Sequence, residues 1–178
     1  MPASGAMPTS GSMPISGSES SSRLPIHKTS RVPVRIVCTP GSNMLEYTHV
    51  FVSAYAATHH RPQVAQRISV AVYELLENAM NYGGISSEIV LELIEQPGSL
   101  SVRVSNEAIS ARISMLTAHL ARVRTDAEAT FVEEMKRSVM GGAPRAMLGL
   151  ARIVFEANME LKLEVDGRSV VVTASSRM

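Results

Sequence analysis

The stretch ISVAVYELLENAMNYGG, residues 68–84, decides the fold. Ile68, Ala71, Val72, Leu75 and Ala79, preceded by Val64, recur at helical spacing and define one buried stripe. Gly83 and Gly84 end the helix. Side chains four apart on a helix lie one above the other, so two carboxylate–carboxamide pairs are presented: Glu74 with Asn78, and Glu77 with Asn81. At roughly 100° per residue, Asn78 falls about 70° from the centre of the stripe and Asn81 about 130°. Glu74 and Asn78 therefore flank the buried face, whereas Glu77 and Asn81 look out to solvent. A charged group at the edge of a core needs a reason, and Glu74 is the residue to explain.

Upstream of this helix, Val32, Val34, Ile36 and Cys38 alternate as in a strand packed on one face. Thr39 to Asn43 breaks the chain, and Met44 to Thr58 reads as a helix capped by Ser42 or Asn43. Pro62 suits the first turn of the central helix. Downstream, Ser86 to Glu95 and the run Leu100, Val102, Val104 form a hairpin about Pro97-Gly98. Ile109 to Val139 is helical in composition, with Asp126 as a cap between two helices. Its Met115, Leu116, Leu120 and Val123 repeat at helical spacing and read as packing, or as a partner surface if the stripe is exposed. After a loop containing Gly141-Gly142, either a hinge or a helix end, Leu148 to Ala157 reads as a short helix with Gly149 in its first turn. Glu160 to Val165 and Ser169 to Ala174 close the chain as a hairpin joined at Asp166-Gly167. Strands that arrive in hairpins, with helices to cover one sheet face, predict a two-layer α+β sandwich with a mainly antiparallel mixed sheet and a helical insert.

The chain of 178 residues suits one domain, expected over residues 31–178. Residues 1–30 differ in kind: MPASGA, MPTSGS and MPISGS repeat one hexapeptide before a serine run, the composition of a flexible tail. A net charge of +1, scattered Lys and Arg, and only four Tyr and three Phe argue against a nucleic-acid groove. The single Cys38 excludes an intrachain disulfide and a multi-cysteine metal site. No apolar run approaches a membrane span and the start lacks the order of a signal peptide, so the expectation is a cytoplasmic protein.

The E-L-L-E-N-A helix, the strand ending at a turn, the G-L-x-x-I helix and the final hairpin together resemble the GHKL (Bergerat-fold) ATPase superfamily. Within it, the chain is most similar to the serine kinases of bacterial anti-sigma and partner-switching systems. The likeness spans about Val32 to Ala174 and matches the family's Glu, Asn and Ala to Glu74, Asn78 and Ala79. It implies ATP and Mg²⁺ as cofactors, with Asn78 as a metal ligand through its amide oxygen and Glu74 as the general base for phosphoryl transfer. The helix start at Leu148, Gly149 and Leu150 would offer backbone N–H groups to phosphate, with Arg145 adding a charge-assisted contact. Asn106 stands where most relatives carry an adenine-reading Asp, Ala108 where they carry a Gly, and Met147 where they carry another Gly. The resemblance implies a serine/threonine protein kinase whose protein partner is a small STAS-like anti-sigma antagonist or a sigma-type regulator, and is compatible with a homodimer. The alternative from a different class is a non-catalytic switch protein that sequesters a partner with weak or no nucleotide binding.

Overall fold

The computed structural model describes residues 30–41, 43–84, 88–140 and 146–177. The expected tail, and the positions of Arg145 and Gly141-Gly142, lie outside the described residues. The chain forms β1 (Arg31–Cys38), α1 (Met44–His59), α2 (Pro62–Tyr82), β2 (Ile89–Gln96), β3 (Ser99–Glu107), α3 (Ser110–Thr125), α4 (Ala127–Val139), α5 (Ala146–Phe155), β4 (Glu160–Asp166) and β5 (Ser169–Arg177). The strands make one sheet in the order β1-β2-β3-β5-β4. Every neighbouring pair is antiparallel, so the mixed character expected from the sequence is absent among the described strands.

Period-two alternation makes this sheet one-sided. Ile89, Leu91, Leu93, Leu100, Val102, Val104, Val170, Val172 and Ala174 point inward and are buried. The outer face carries polar residues, including Glu92, which pairs with Arg35 at 3.2 Å and Arg103 at 3.5 Å. Ile68, Ala71, Val72, Leu75, Leu76 and Ala79 of α2 join the inward sheet residues in one continuous core. The result is a two-layer α/β sandwich with the helices on one face.

The joints show which local signals act. In the last hairpin Asp166 pairs with Ser169, so the turn residues are Gly167 and Arg168, one position beyond the expected Asp-Gly. Gly167 has φ +58 while Arg168 does not lie at positive φ, which fits a type II′ turn led by glycine. Asp126 caps α4 as expected, its side chain accepting from the Ala129 N–H at 2.9 Å. Asn43 occupies the cap position of α1 without a side-chain cap bond. The expected helix at Leu148 to Ala157 runs instead from Ala146 to Phe155. In the insert Leu116, Leu120 and Val123 are buried, whereas Met115 is exposed. No helix among the described residues is long and apolar enough to cross a membrane.

Candidate functional site

The central helix α2 is buried on more than its sheet-facing stripe, because α1 packs along one flank and α5 along the other. Glu74 and Asn78 are only 5% and 6% exposed, while Glu77 is half-buried and Asn81 exposed. The two residues that helical geometry puts at the edge of the stripe are thus covered: Glu74 by Gly149 and Arg152 of α5, and Asn78 beside a small cavity it lines with residues of α3, β3 and β5.

Glu74 is held from above. Arg152 of α5 donates from Nη1 to Glu74 Oε1 at 2.9 Å, and from Nε to Glu156 Oε2 at 2.6 Å. Gly149 lies one helical turn before Arg152, on the same face. A Cβ built on Gly149 would stand 2.3 Å from Glu74 Oε2, closer than any real contact, so glycine is what lets α5 approach. Burial pushes the Glu74 carboxyl above its ordinary pKa, Arg152 opposes the rise, and the nearby Glu77 and Glu156 add to it. Arg152 is pushed up by its bonds to Glu156 and Glu74.

Asn78 donates from Nδ2 to the Glu74 carbonyl at 2.8 Å. Its Oδ1 is buried without a hydrogen-bond partner. A buried orphan acceptor costs on the order of 1–3 kcal/mol, so this oxygen is the atom with most to gain from a cation. An unpaired carboxamide oxygen fits a hard ion such as Mg²⁺ in kind.

The positions assigned to adenine surround little space. Leu75, Asn78, Ala79, Tyr82, Val104, Asn106, Ala108, Arg112, Ile113 and Leu116 line a cavity with Val170 and Val172, and its volume is about 20 Å³. That is room for one or two waters; small-molecule sites typically hold roughly 300–1,000 Å³. Asn106 donates from Nδ2 to the Ala79 carbonyl at 3.2 Å, tying β3 to α2. Ala108 is buried, does not lie at positive φ, and gives its N–H to the Arg168 carbonyl at 2.9 Å. Its Cβ therefore needs none of the freedom a glycine would supply. Leu148 packs half-buried against the core and Leu150 is fully within it. Met147 falls in the first turn of α5, with its side chain outside the described set. In this conformation the cavity does not accommodate a purine.

Two arginines complete the site that the sequence reading did not single out. Arg112 of α3 donates from Nη1 to the carbonyls of Asn81 and Gly83, at 3.0 and 2.7 Å. Those are the open carbonyls at the C-terminus of α2, where a cation also complements the helix dipole. Arg112 thereby holds α3 over the cavity mouth. The signal for Arg152 was present: Gly149, Arg152 and Glu156 stand at i, i+3 and i+7 on one face of α5. Arg112 had no such signal, since its partners are backbone atoms.

No protein-family model matches the chain, and no curated protein is similar to it in sequence. Among solved structures it is similar to a chain in the crystal structure of the SiaB–SiaC complex from Pseudomonas aeruginosa. The TM-score is 0.59 and the identity 14%, with 83% of this chain and 91% of that chain covered. At that identity the likeness concerns the fold.

Proposed function

We propose that this protein is a partner-binding regulator of the partner-switching type, acting by contact with another protein and not by turning over nucleotide. The observation that carries this reading is the closed centre: Glu74 is clamped by Arg152 beneath Gly149, and only about 20 Å³ remains beside Asn78 and Asn106. Two further features support it. The fold is shared with a chain of a two-protein complex. On α1, Tyr47, Val50 and Phe51 stand at i, i+3 and i+4 with 68%, 59% and 58% exposure, a contiguous apolar face of the kind that marks a protein contact. The partner is a small folded STAS-like regulator in a cytoplasmic signalling pair.

A second reading keeps phosphoryl transfer, and one observation favours it. The orphan Asn78 Oδ1 and the neighbouring Glu74, whose carboxyl burial makes more basic, are the atoms a Mg²⁺- and ATP-dependent serine/threonine kinase of the GHKL type would use. That reading requires α3 to leave the cavity mouth and Arg152 to release Glu74.

The experiment measures complex formation with a purified STAS-domain regulator by size exclusion with light scattering, alongside transfer of labelled phosphate to it. The first reading predicts that Tyr47→Asp with Phe51→Asp abolishes the complex, that Glu74→Ala leaves it unchanged, and that no label is transferred. Label transfer that Glu74→Ala removes would replace the first reading with the second.

A further inference from the structure

A second site lies at the opposite end of the sandwich. The N-terminal half of α2, the C-termini of α3 and α5, the start of β3 and β4 and the end of β5 meet around a groove of about 940 Å³. Its described lining includes Arg67, Arg124 and Arg177, the hydroxyl residues Ser99, Ser175 and Ser176, and an apolar wall of Val123, Ala127, Val154, Met159 and Leu161. Glu160 is the single carboxylate among the described lining residues.

Two of the three arginines are held, and none of the three is neutralised. Arg67 donates from Nη1 to Ser176 Oγ at 3.0 Å, and Arg124 from Nη2 to the Leu161 carbonyl at 3.0 Å. Both acceptors are uncharged. Glu160 makes no ion pair with Arg67, Arg124 or Arg177, and among the described residues none of the three has a carboxylate within ion-pair distance. Arg35, Arg103, Arg122, Arg137, Arg152 and Arg168 all do. A guanidinium whose anchoring bond goes to a neutral oxygen keeps its other N–H donors for an anion, and planar forks of this kind suit phosphate. The volume lies within the range of small-molecule sites, and the lining joins an apolar wall to a few polar groups.

We infer that this groove binds a small organic phosphate, with the phosphate at Arg67, Arg124 and Arg177 and an apolar body against Ala127 and Val154. The site is separate from the Glu74–Asn78 centre and does not depend on the function proposed above. Ser176, only 5% exposed, fixes Arg67 from beneath, and the β4 backbone fixes Arg124, so the two forks are positioned before the ligand arrives. Inorganic phosphate alone would fill the charged half and leave the apolar wall unused.

The test is a titration of the full chain with phenyl phosphate and, separately, inorganic phosphate, followed by amide shifts in nitrogen-15 NMR. Expected are saturable shifts at Arg67, Leu161 and Ser176, with phenyl phosphate binding the tighter of the two. Arg67→Gln and Arg124→Gln should each weaken phenyl phosphate about tenfold, the loss of one charge-assisted contact. Should either variant fail to fold, Arg177→Gln at the exposed end of β5 carries the same expectation of weakening. Shifts centred on Asn78 and Asn106, no saturation at millimolar ligand, equal affinity for the two anions, or affinity unchanged in the variants would each overturn the assignment.

Discussion

Replacing Gly149 with alanine tests the packing at the centre of the molecule, and its sign depends on Glu74. The added Cβ would meet Glu74 Oε2 at 2.3 Å and Glu74 Cδ at 3.2 Å, so the gap must open by roughly 1 Å to reach ordinary contact. Overpacking of this kind costs about 1–3 kcal/mol, and alanine returns about 1 kcal/mol of helix propensity. A net loss of up to about 2 kcal/mol is expected, a fall in Tm of up to about 8 °C for a domain of this size. In a Glu74→Ala background the clashing carboxylate is gone, while the Cβ of residue 74, at 3.2 Å, remains a tight contact. There Gly149→Ala should be close to neutral, the tight contact offsetting the gain in helix propensity, giving a coupling of about 1–2 kcal/mol in the double-mutant cycle. Urea unfolding of the four proteins, compared at equal m-value, reads it directly. An effect of the same sign and size in both backgrounds would refute the argument that Gly149 exists to admit Glu74.

Other outcomes follow from the same contacts. Arg112→Ala removes two hydrogen bonds to open carbonyls of α2 and should cost about 1–2 kcal/mol, read by denaturant midpoint; an unchanged midpoint would mean that Arg112 does not hold α3 in place. Asp126→Ala removes the cap of α4 and should cost about 0.5–2 kcal/mol, with Asp126→Asn losing much less. Because the Glu74 carboxyl is raised in the folded state, its contribution is fully present below its unfolded pKa and is lost as pH rises through the folded value. Glu74→Gln should therefore gain in Tm relative to the native chain across that rise, and a difference independent of pH would contradict the burial assigned to this group.

Much of the fold was legible because its signals are local and periodic. The alternation in β2 and β3 reported which face is buried, and the 3.6-residue stripe of α2 separated Glu74 and Asn78 from Glu77 and Asn81. The depth of Glu74 was not legible, since it depends on α5 packing from 75 residues or more downstream in sequence, with Gly149 and Arg152 as its contact points. The same limit applies to Asn106, whose partner is a carbonyl of α2, a backbone atom that composition cannot mark. The hairpin at Gly167 slipped by one because Asp-Gly and Gly-Arg both allow a tight turn, and pairing of Asp166 with Ser169 decides between them. The charged groove at the other end has no joint signal in the sequence, because Arg67, Arg124 and Arg177 stand far apart in the chain and line one groove only once α2, α3 and β5 pack together.

The proposed function requires that the space beside Asn78, about 20 Å³, be closed to nucleotide. Calorimetric titration with ATP and Mg²⁺, on the native chain and on Asn78→Ala, tests it most directly. The expected result is that any heat is the same in both proteins. Saturable binding of Mg²⁺-ATP to the native chain that Asn78→Ala abolishes would contradict it and show that the centre opens.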